Sequence, residues 1–257
     1  MKTFLISLKA EFLKIRRSSA LWLVLIAGAF LPIIQFIMYT TKPKEFMARF
    51  GHDPWFGHVN MGFQAASFFL WPMSIILVAS LVTQIEYRNN TWKQVMTSPL
   101  RIADVYFSKY IVIQLMIIAG YLLFDIWIIL SGLIAQVFHP AFGFTHSPLP
   151  LHAFLMMDVK SYIAVLAMST FQYIISLRFK NFIAAIGTGL GLIIAGLFML
   201  TWDKVQFFPY AYSALTFMRD NIKGDFSVLK HEYWSLGYFV VFLMAGFIDF
   251  TTRRERG

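Results

Sequence analysis

Six histidines, thirteen acidic side chains and no cysteine are the residues from which any chemistry here must be built. His52, His58, His139, His146, His152 and His231 fall between or at the ends of apolar runs. Clustered on one side of a membrane, they would suit an outward metal or haem contact. Their spacings match no metal signature and share no obvious carboxylate, so they read as interfacial or loop histidines. Asp125 lies deep within an apolar run, where a carboxylate is expected to face a bundle interior or a cavity. The favoured role is a helix-to-helix hydrogen bond with Gln35, Gln114 or Gln172, and the alternative is a functional carboxylate. Without Lys, Arg or His at similar depth, a proton-relay chain is not expected. There is no G-x-x-x-x-G-K-[ST] phosphate loop. Gly187-Thr188-Gly189-Leu190-Gly191 is glycine-rich but lacks lysine and sits inside an apolar run, so it reads as packing. Gly187, Gly191 and Ala195 recur every four residues, a stripe that lets helices approach closely. Without cysteine, disulfides, thiolate catalysis and cysteine metal sites are excluded. No catalytic residue, metal site or bound cofactor is assigned to this chain.

The elements that hold these residues are apolar. Of 257 residues 58% are hydrophobic, 18% aromatic and 14% charged, with mean hydropathy +0.65. A soluble domain carries about 25% charged residues, so the missing charge points to a bilayer. The net charge of +9 sits at the ends of apolar runs, which is the positive-inside pattern and not a nucleic-acid surface. Residues 1–19 set Lys2, Lys9, Lys14, Arg16 and Arg17 against Phe4, Leu5, Leu8, Phe12 and Ile15, predicting an amphipathic helix in the inner interface. Spans are predicted at about 21–39, 61–82, 110–138, 155–177, 182–200 and 233–250, each long enough for a hydrocarbon core of about 30 Å. Ala27-Gly28-Ala29 resembles a leader-cleavage site, but the apolar run continues through Pro32 to Tyr39, so an uncleaved anchor is expected.

Between the spans, 40–60 reads as a polar outer loop. Residues 139–151 lack Lys and Arg and face outward. Arg178, Lys180 and Asn181 form an inner turn. Asp158 and Lys160, near the start of the fourth span, must sit at the outer interface or pair within the protein. The aromatic, mixed-charge stretch 201–232 is too apolar for a solvated loop and too charged for a span, so it reads as re-entrant or interfacial at the outer face. Arg253, Arg254 and Arg256 close the last span inside. The fold expected is a single all-α polytopic membrane domain with six spans and both termini cytoplasmic.

The most specific stretch is 85–109, between the second and third spans. Glu86 and Arg88 end one helix, Asn89 and Asn90 turn, and Trp92, Val95 and Met96 share one face of a short helix at i, i+3, i+4. Ser98, as N-cap, and Pro99, at the first helical position, are expected to start the next helix, carrying Arg101, Asp104 and Lys109 into it. A short amphipathic helix would then lie crosswise between two spans, its apolar stripe open to a soluble partner.

This loop resembles that of ABC-2 type ABC transporter permeases, in which a Glu, a Gly-Thr step, a small apolar helix, a Ser/Thr-Pro and an Arg follow one another. Here these are Glu86, Asn90-Thr91, Trp92 to Met96, Ser98-Pro99 and Arg101. Asn90 replaces the common Gly, and Asn also tolerates the left-handed conformation. The resemblance implies an ABC-2 (type V exporter-like) permease whose coupling helix docks a separate ABC ATPase through Glu86, Arg88, Thr91, Trp92, Val95, Met96, Pro99 and Arg101. ATP and Mg would be bound by that partner. It also implies a second permease copy or a paralogue, a bacterial cell membrane location, and export of an amphipathic or apolar cargo such as a peptide, lipid or drug. The alternative is a membrane-embedded enzyme or immunity protein acting without an ATPase. An enzyme should show paired acids, or His with an acid, near one membrane surface, and no such pair has convincing spacing.

Overall fold

The computed structural model describes residues 2–16, 18–50, 53–218 and 228–252. Arg17, His52, Arg253, Arg254 and Arg256 lie outside the described residues, as do 219–227 of the long segment before the last span. In chain order the helices are α1 (Lys2–Ile15), α2 (Ser19–Thr41), α3 (Pro43–Phe50), α4 (Pro54–Ala65), α5 (Trp71–Arg88), α6 (Trp92–Thr97), α7 (Ile102–Phe138), α8 (Leu151–Arg178), α9 (Phe182–Phe198), α10 (Tyr212–Met218) and α11 (Lys230–Thr252). Among the described residues there is no strand. Among the described residues, six stretches are long and apolar enough to cross a membrane: Ser19–Thr41, Pro54–Arg88, Ile102–Phe138, Leu151–Arg178, Phe182–Thr201 and Lys230–Thr252. The chain is an all-α, multi-pass membrane protein.

Helix α2 shows how the bilayer sorts residues. Ala20, Val24, Gly28, Pro32, Gln35 and Tyr39 are buried at helical spacing, while Trp22, Ile26, Phe30 and Ile33 are exposed. Both faces are apolar because lipid is as apolar as the core. Hydropathy therefore does not decide which face packs, and the buried face mixes the small Ala20 and Gly28 with Gln35 and Tyr39. At Gly28 an added Cβ would lie 3.2 Å from Leu123 Cβ of α7, so glycine permits this close approach.

Helices α4 and α5 form one rod, interrupted by a π turn at Ala66–Leu70. Pro72 lacks the N–H that would bond back to residue 68, and the wider turn absorbs that loss. Around this point Phe63, Trp71, Tyr121, Phe124 and Phe217 build the central core, with Trp71 edge-on to Tyr121 at 4.7 Å and Phe63 edge-on to Phe124 at 5.4 Å.

Two expectations are corrected here. Residues 40–60 are not a plain polar loop: α3 and the start of α4 fold over the bundle end, burying Phe46, Phe50 and Trp55 with Tyr39, Phe142 and Phe144. Trp55 Nε1 donates to Phe144 O at 2.8 Å, which satisfies the one polar atom that its burial would otherwise strand. Helix α1 turns Ser7, Glu11 and Ile15 to the bundle and leaves Leu5, Ile6, Phe12 and Leu13 exposed, which is compatible with the expected interfacial helix. Finally, α7 begins at Ile102 and not near Pro99, and the Ser98 hydroxyl donates to Val95 O at 2.6 Å, closing α6 instead of capping α7.

After α9, short 3₁₀ turns at Met199–Thr201, Val205–Phe207 and Pro209–Ala211 lead into α10, whose residues Tyr212 to Phe217 are all buried. This stretch returns into the bundle against α8. Gly196 makes that return possible, since a Cβ there would meet the Tyr210 carbonyl carbon at 3.1 Å and the Ala211 nitrogen at 3.2 Å.

Candidate functional site

Four charged side chains meet beneath the loop that joins α5 to α7. Lys109 Nζ of α7 donates to Glu86 Oε1 and Oε2 of α5, both at 2.9 Å, and to Glu11 Oε2 of α1 at 2.7 Å. Lys14 Nζ closes the ring, donating to Glu11 Oε1 at 2.5 Å and Glu86 Oε1 at 2.8 Å. Two carboxylates and two ammoniums cancel, so the cluster is neutral although Glu86, Glu11 and Lys109 are buried. Burial pushes the Glu11 carboxyl up, but the Lys109 and Lys14 ammoniums outweigh it and leave Glu11 below the ordinary carboxylate range. Burial likewise pushes Lys14 down, and the Glu11 and Glu86 carboxylates outweigh that and hold it above the usual ammonium range.

The cluster fixes the loop to three helices. Glu86 lies one turn before the loop, and its backbone carbonyl accepts from Thr91 N at 3.0 Å, across the turn that Asn90 makes in the left-handed region at φ 52°. On the other side of α5, Tyr87 Oη donates to Leu177 O at 2.6 Å and Gln84 Nε2 to Phe179 O at 3.2 Å, tying the same end to the α8–α9 turn.

Helix α6 is present, but its orientation corrects the sequence reading. Trp92 is 5% exposed and packs against Tyr87 at 5.4 Å and Phe250 of α11 at 5.9 Å. The face turned outward is the polar one, with Lys93, Gln94 and Thr97 exposed and Val95 half-buried, and the Met96 side chain lies outside the described residues. Trp92 turns inward because Tyr87 and Phe250 offer it an aromatic cage. A cavity of about 730 Å³, lined by Gln84, Tyr87, Arg88, Trp92, Lys93 and Lys180 among others, opens on one side of α6. A groove of about 360 Å³, lined by Glu11, Lys14, Gln94 and Val95 among others, runs on the opposite side. Arg88, Pro99 and Arg101 are exposed, and Thr91 is half-buried.

The remaining candidates are placed elsewhere. The face of α9 bearing Gly187 and Gly191 is open, with nothing within 4 Å of an added Cβ at either, and Ala195 is half-buried. The close-packed glycines are Gly189 and Gly196, which touch Gln172 and Ile76 or the Tyr210 backbone. Asp125 does not bond Gln35, Gln114 or Gln172; its carboxyl adjoins that of Asp158 of α8, and Oδ1 of each is buried without a hydrogen-bond partner among the described residues. His58 is fully buried in α4, contacting Tyr39 Oη at 2.6 Å and Ile128 O at 2.9 Å, while His231 meets Thr216 Oγ1 at 3.0 Å. His139 is half-buried, and His146 and His152 are exposed. Among the described residues no three His, Asp or Glu side chains group to hold a metal.

Sequence reasoning singled out Glu86 but missed its partners. Glu11 is the sole acid in the first 44 residues, on a helix otherwise basic, and Lys109 and Asp125 are the only charges of α7 beyond its first turn. The isolated charges of Glu11 and Lys109, opposite in sign, were the available signal.

The family model described as ABC-2 family transporter protein matches residues 7–196. No curated protein matches the sequence. The match runs from within α1 through α8 into α9 and takes in both sides of the Glu86–Lys109 pair, and the chain belongs to the ABC-2 transporter family as a membrane subunit of an ABC transporter.

Proposed function

We propose that this chain is the permease of an ATP-driven exporter in a bacterial cell membrane, and that a separate ABC ATPase docks on α6 and the rims of its two flanking recesses. The observation that carries this reading is the attachment of α6. Its inner side is held by Trp92 in the Tyr87 and Phe250 cage, and its roots are fixed by the Glu86–Lys109–Glu11–Lys14 cluster. A push on α6 is then passed to α1, α5, α7 and α11 together instead of being absorbed by a loose loop. The docking contacts on this reading are the exposed Lys93, Gln94, Thr97, Arg88, Pro99 and Arg101, with Val95 at the edge. Glu86, Thr91 and Trp92 act from beneath as positioning residues, and ATP and Mg belong to the partner.

Both termini are cytoplasmic on this reading, in keeping with the basic residues at 1–19 and 178–181. A second permease copy or a paralogue completes the pathway, and the open α9 face at Gly187 and Gly191 is its candidate contact. The cargo class we favour is amphipathic or apolar. Recovery of the ATPase on detergent-solubilised permease tests the reading: the Lys93→Glu/Gln94→Ala variant should lose most of the ATPase while remaining folded. Full recovery with normal transport would remove α6 from the docking site.

A further inference from the structure

The seam between α7 and α8 carries a run of polar side chains across an otherwise apolar bundle. From the loop end, Tyr173 Oη donates to Tyr106 O at 2.9 Å, and Tyr110 Oη and Thr170 Oγ1 share a hydrogen bond of 2.8 Å. Gln114 follows, donating to Ser169 Oγ and accepting from Tyr162 Oη, each at 3.2 Å. The run ends where Asp125 of α7 meets Asp158 of α8. Asp158 lies seven residues beyond Leu151, about 10 Å along the helix from its start.

An ionised carboxylate only accepts hydrogen bonds, so a hydrogen bond between two carboxyls requires a proton on one of them. Two ionised carboxylates in contact would also repel strongly within an apolar seam. Among the described residues no basic side chain pairs with either carboxyl. Lys160, two residues beyond Asp158, pairs with Glu232 of α11 at 3.7 Å. On α4, His58 engages Tyr39 and Ile128 O, and on α11, His231 engages Thr216. Among the described residues, the titratable groups left facing the pair are Tyr162, one turn after Asp158, and Tyr121, one turn before Asp125.

Tyr121 is the independent sign of a ligand. Its side chain is 4% exposed, held edge-on by Trp71, and its hydroxyl has no hydrogen-bond partner among the described residues although the Asp158 charge acts on it. Asp125 Oδ1 and Asp158 Oδ1 are also buried without a partner among the described residues. A buried hydroxyl left unmatched costs about 1–3 kcal/mol, and this one is placed to donate to whichever carboxyl keeps the charge.

We propose that Asp125 and Asp158 form an intramembrane proton-binding site, with one proton held between the two carboxyls and Tyr121 supporting the charge that remains. The site stands whether or not an ATPase docks at α6. Infrared difference spectroscopy of the purified chain in lipid nanodiscs, recorded across pH, reads it directly. A protonated carboxylic acid band that titrates with pH is expected in the parent protein. It should be lost in Asp125→Asn and in Asp158→Asn, and shifted but present in Asp125→Glu, which keeps the carboxyl where an Asn variant fails to fold. The absence of a titrating band in the parent, or its survival unshifted in all three variants, would overturn the proposal. Displacement of the band by sodium at constant pH would overturn it too, in favour of a metal-cation site.

Discussion

Lys109 Nζ lies 2.9 Å from both carboxylate oxygens of Glu86, and each side chain is 1% exposed. The pair joins the last turn of α5 to the second turn of α7, with the α6 loop strung between them. In such a place the ions are worth less for their mutual attraction than for what the loss of either one would leave behind.

Lys109→Met should therefore lower stability by about 3–5 kcal/mol, because Glu11 and Glu86 would be left sharing Lys14 alone. Melting of the detergent-solubilised protein measures this. Lys42→Met provides the contrast: its pair with Glu45, at 3.5 Å, has side chains 69% and 65% exposed, and its loss should cost less than about 1 kcal/mol.

The same cluster sets a pH window. Glu11 sits below its ordinary 4.5, so its contribution is present above that value and lost as pH falls through the lower, folded one. Lys14 sits above its ordinary 10.5, so its contribution is present below that value and lost as pH rises through the higher one. Melting temperature should be flat between these limits and fall on both sides. Glu11→Gln should lower the plateau and flatten the acid limb, and Lys14→Gln should flatten the alkaline one.

Trp92 and Lys93 are neighbours with opposite duties. Trp92→Ala empties the cage made by Tyr87 and Phe250 and should lower both melting temperature and ATPase recovery, since truncating a buried Trp costs about 3–5 kcal/mol. Lys93→Ala should lower recovery alone. Parallel melting curves and pull-downs separate the two, and a Trp92→Ala protein that melts like the parent would contradict the buried placement.

The glycines of α9 should divide by neighbour. Gly196→Ala pushes a Cβ into the Tyr210–Ala211 backbone, which cannot swing aside, and should lower melting temperature. Gly191→Leu meets open space within the chain and should leave the single chain's stability unchanged. If the α9 face is the contact with a second copy, the same substitution shifts native mass spectra towards the single chain.

Orientation is open to labelling because the chain has no cysteine of its own. A cysteine at Ser147 should react with an impermeant maleimide in intact cells, and one at Ser98 should not. The reverse pattern would invert the proposed topology.

Composition and hydropathy alone determined that this chain is an all-α membrane protein with six spans, because a bilayer rewards long apolar runs wherever they pack. The residue order in 85–109 was enough to locate a turn at Asn90, where φ is 52°, and a short helix after it. Which way that helix faces was not legible. Its amphipathic pattern fits a partner or the bundle equally, and only the presence of Tyr87 and Phe250 beneath it turned Trp92 inward. The same holds for α1, whose basic and apolar pattern spoke for an interfacial helix; its single acid stood out, but not the burial of Glu11 against α7. Small-residue spacing marked Gly187 and Gly191 for packing, yet the tertiary fold used Gly189 and Gly196. In lipid every face of α9 is apolar, so the periodicity that marks a buried face in water carries no such information there. Asp125 met Asp158, and Glu11 met Lys109 across 98 residues, because the folded bundle brings those helix faces together. Contacts at that separation have no local pattern, and only the three-dimensional arrangement of α1, α7 and α8 decided them.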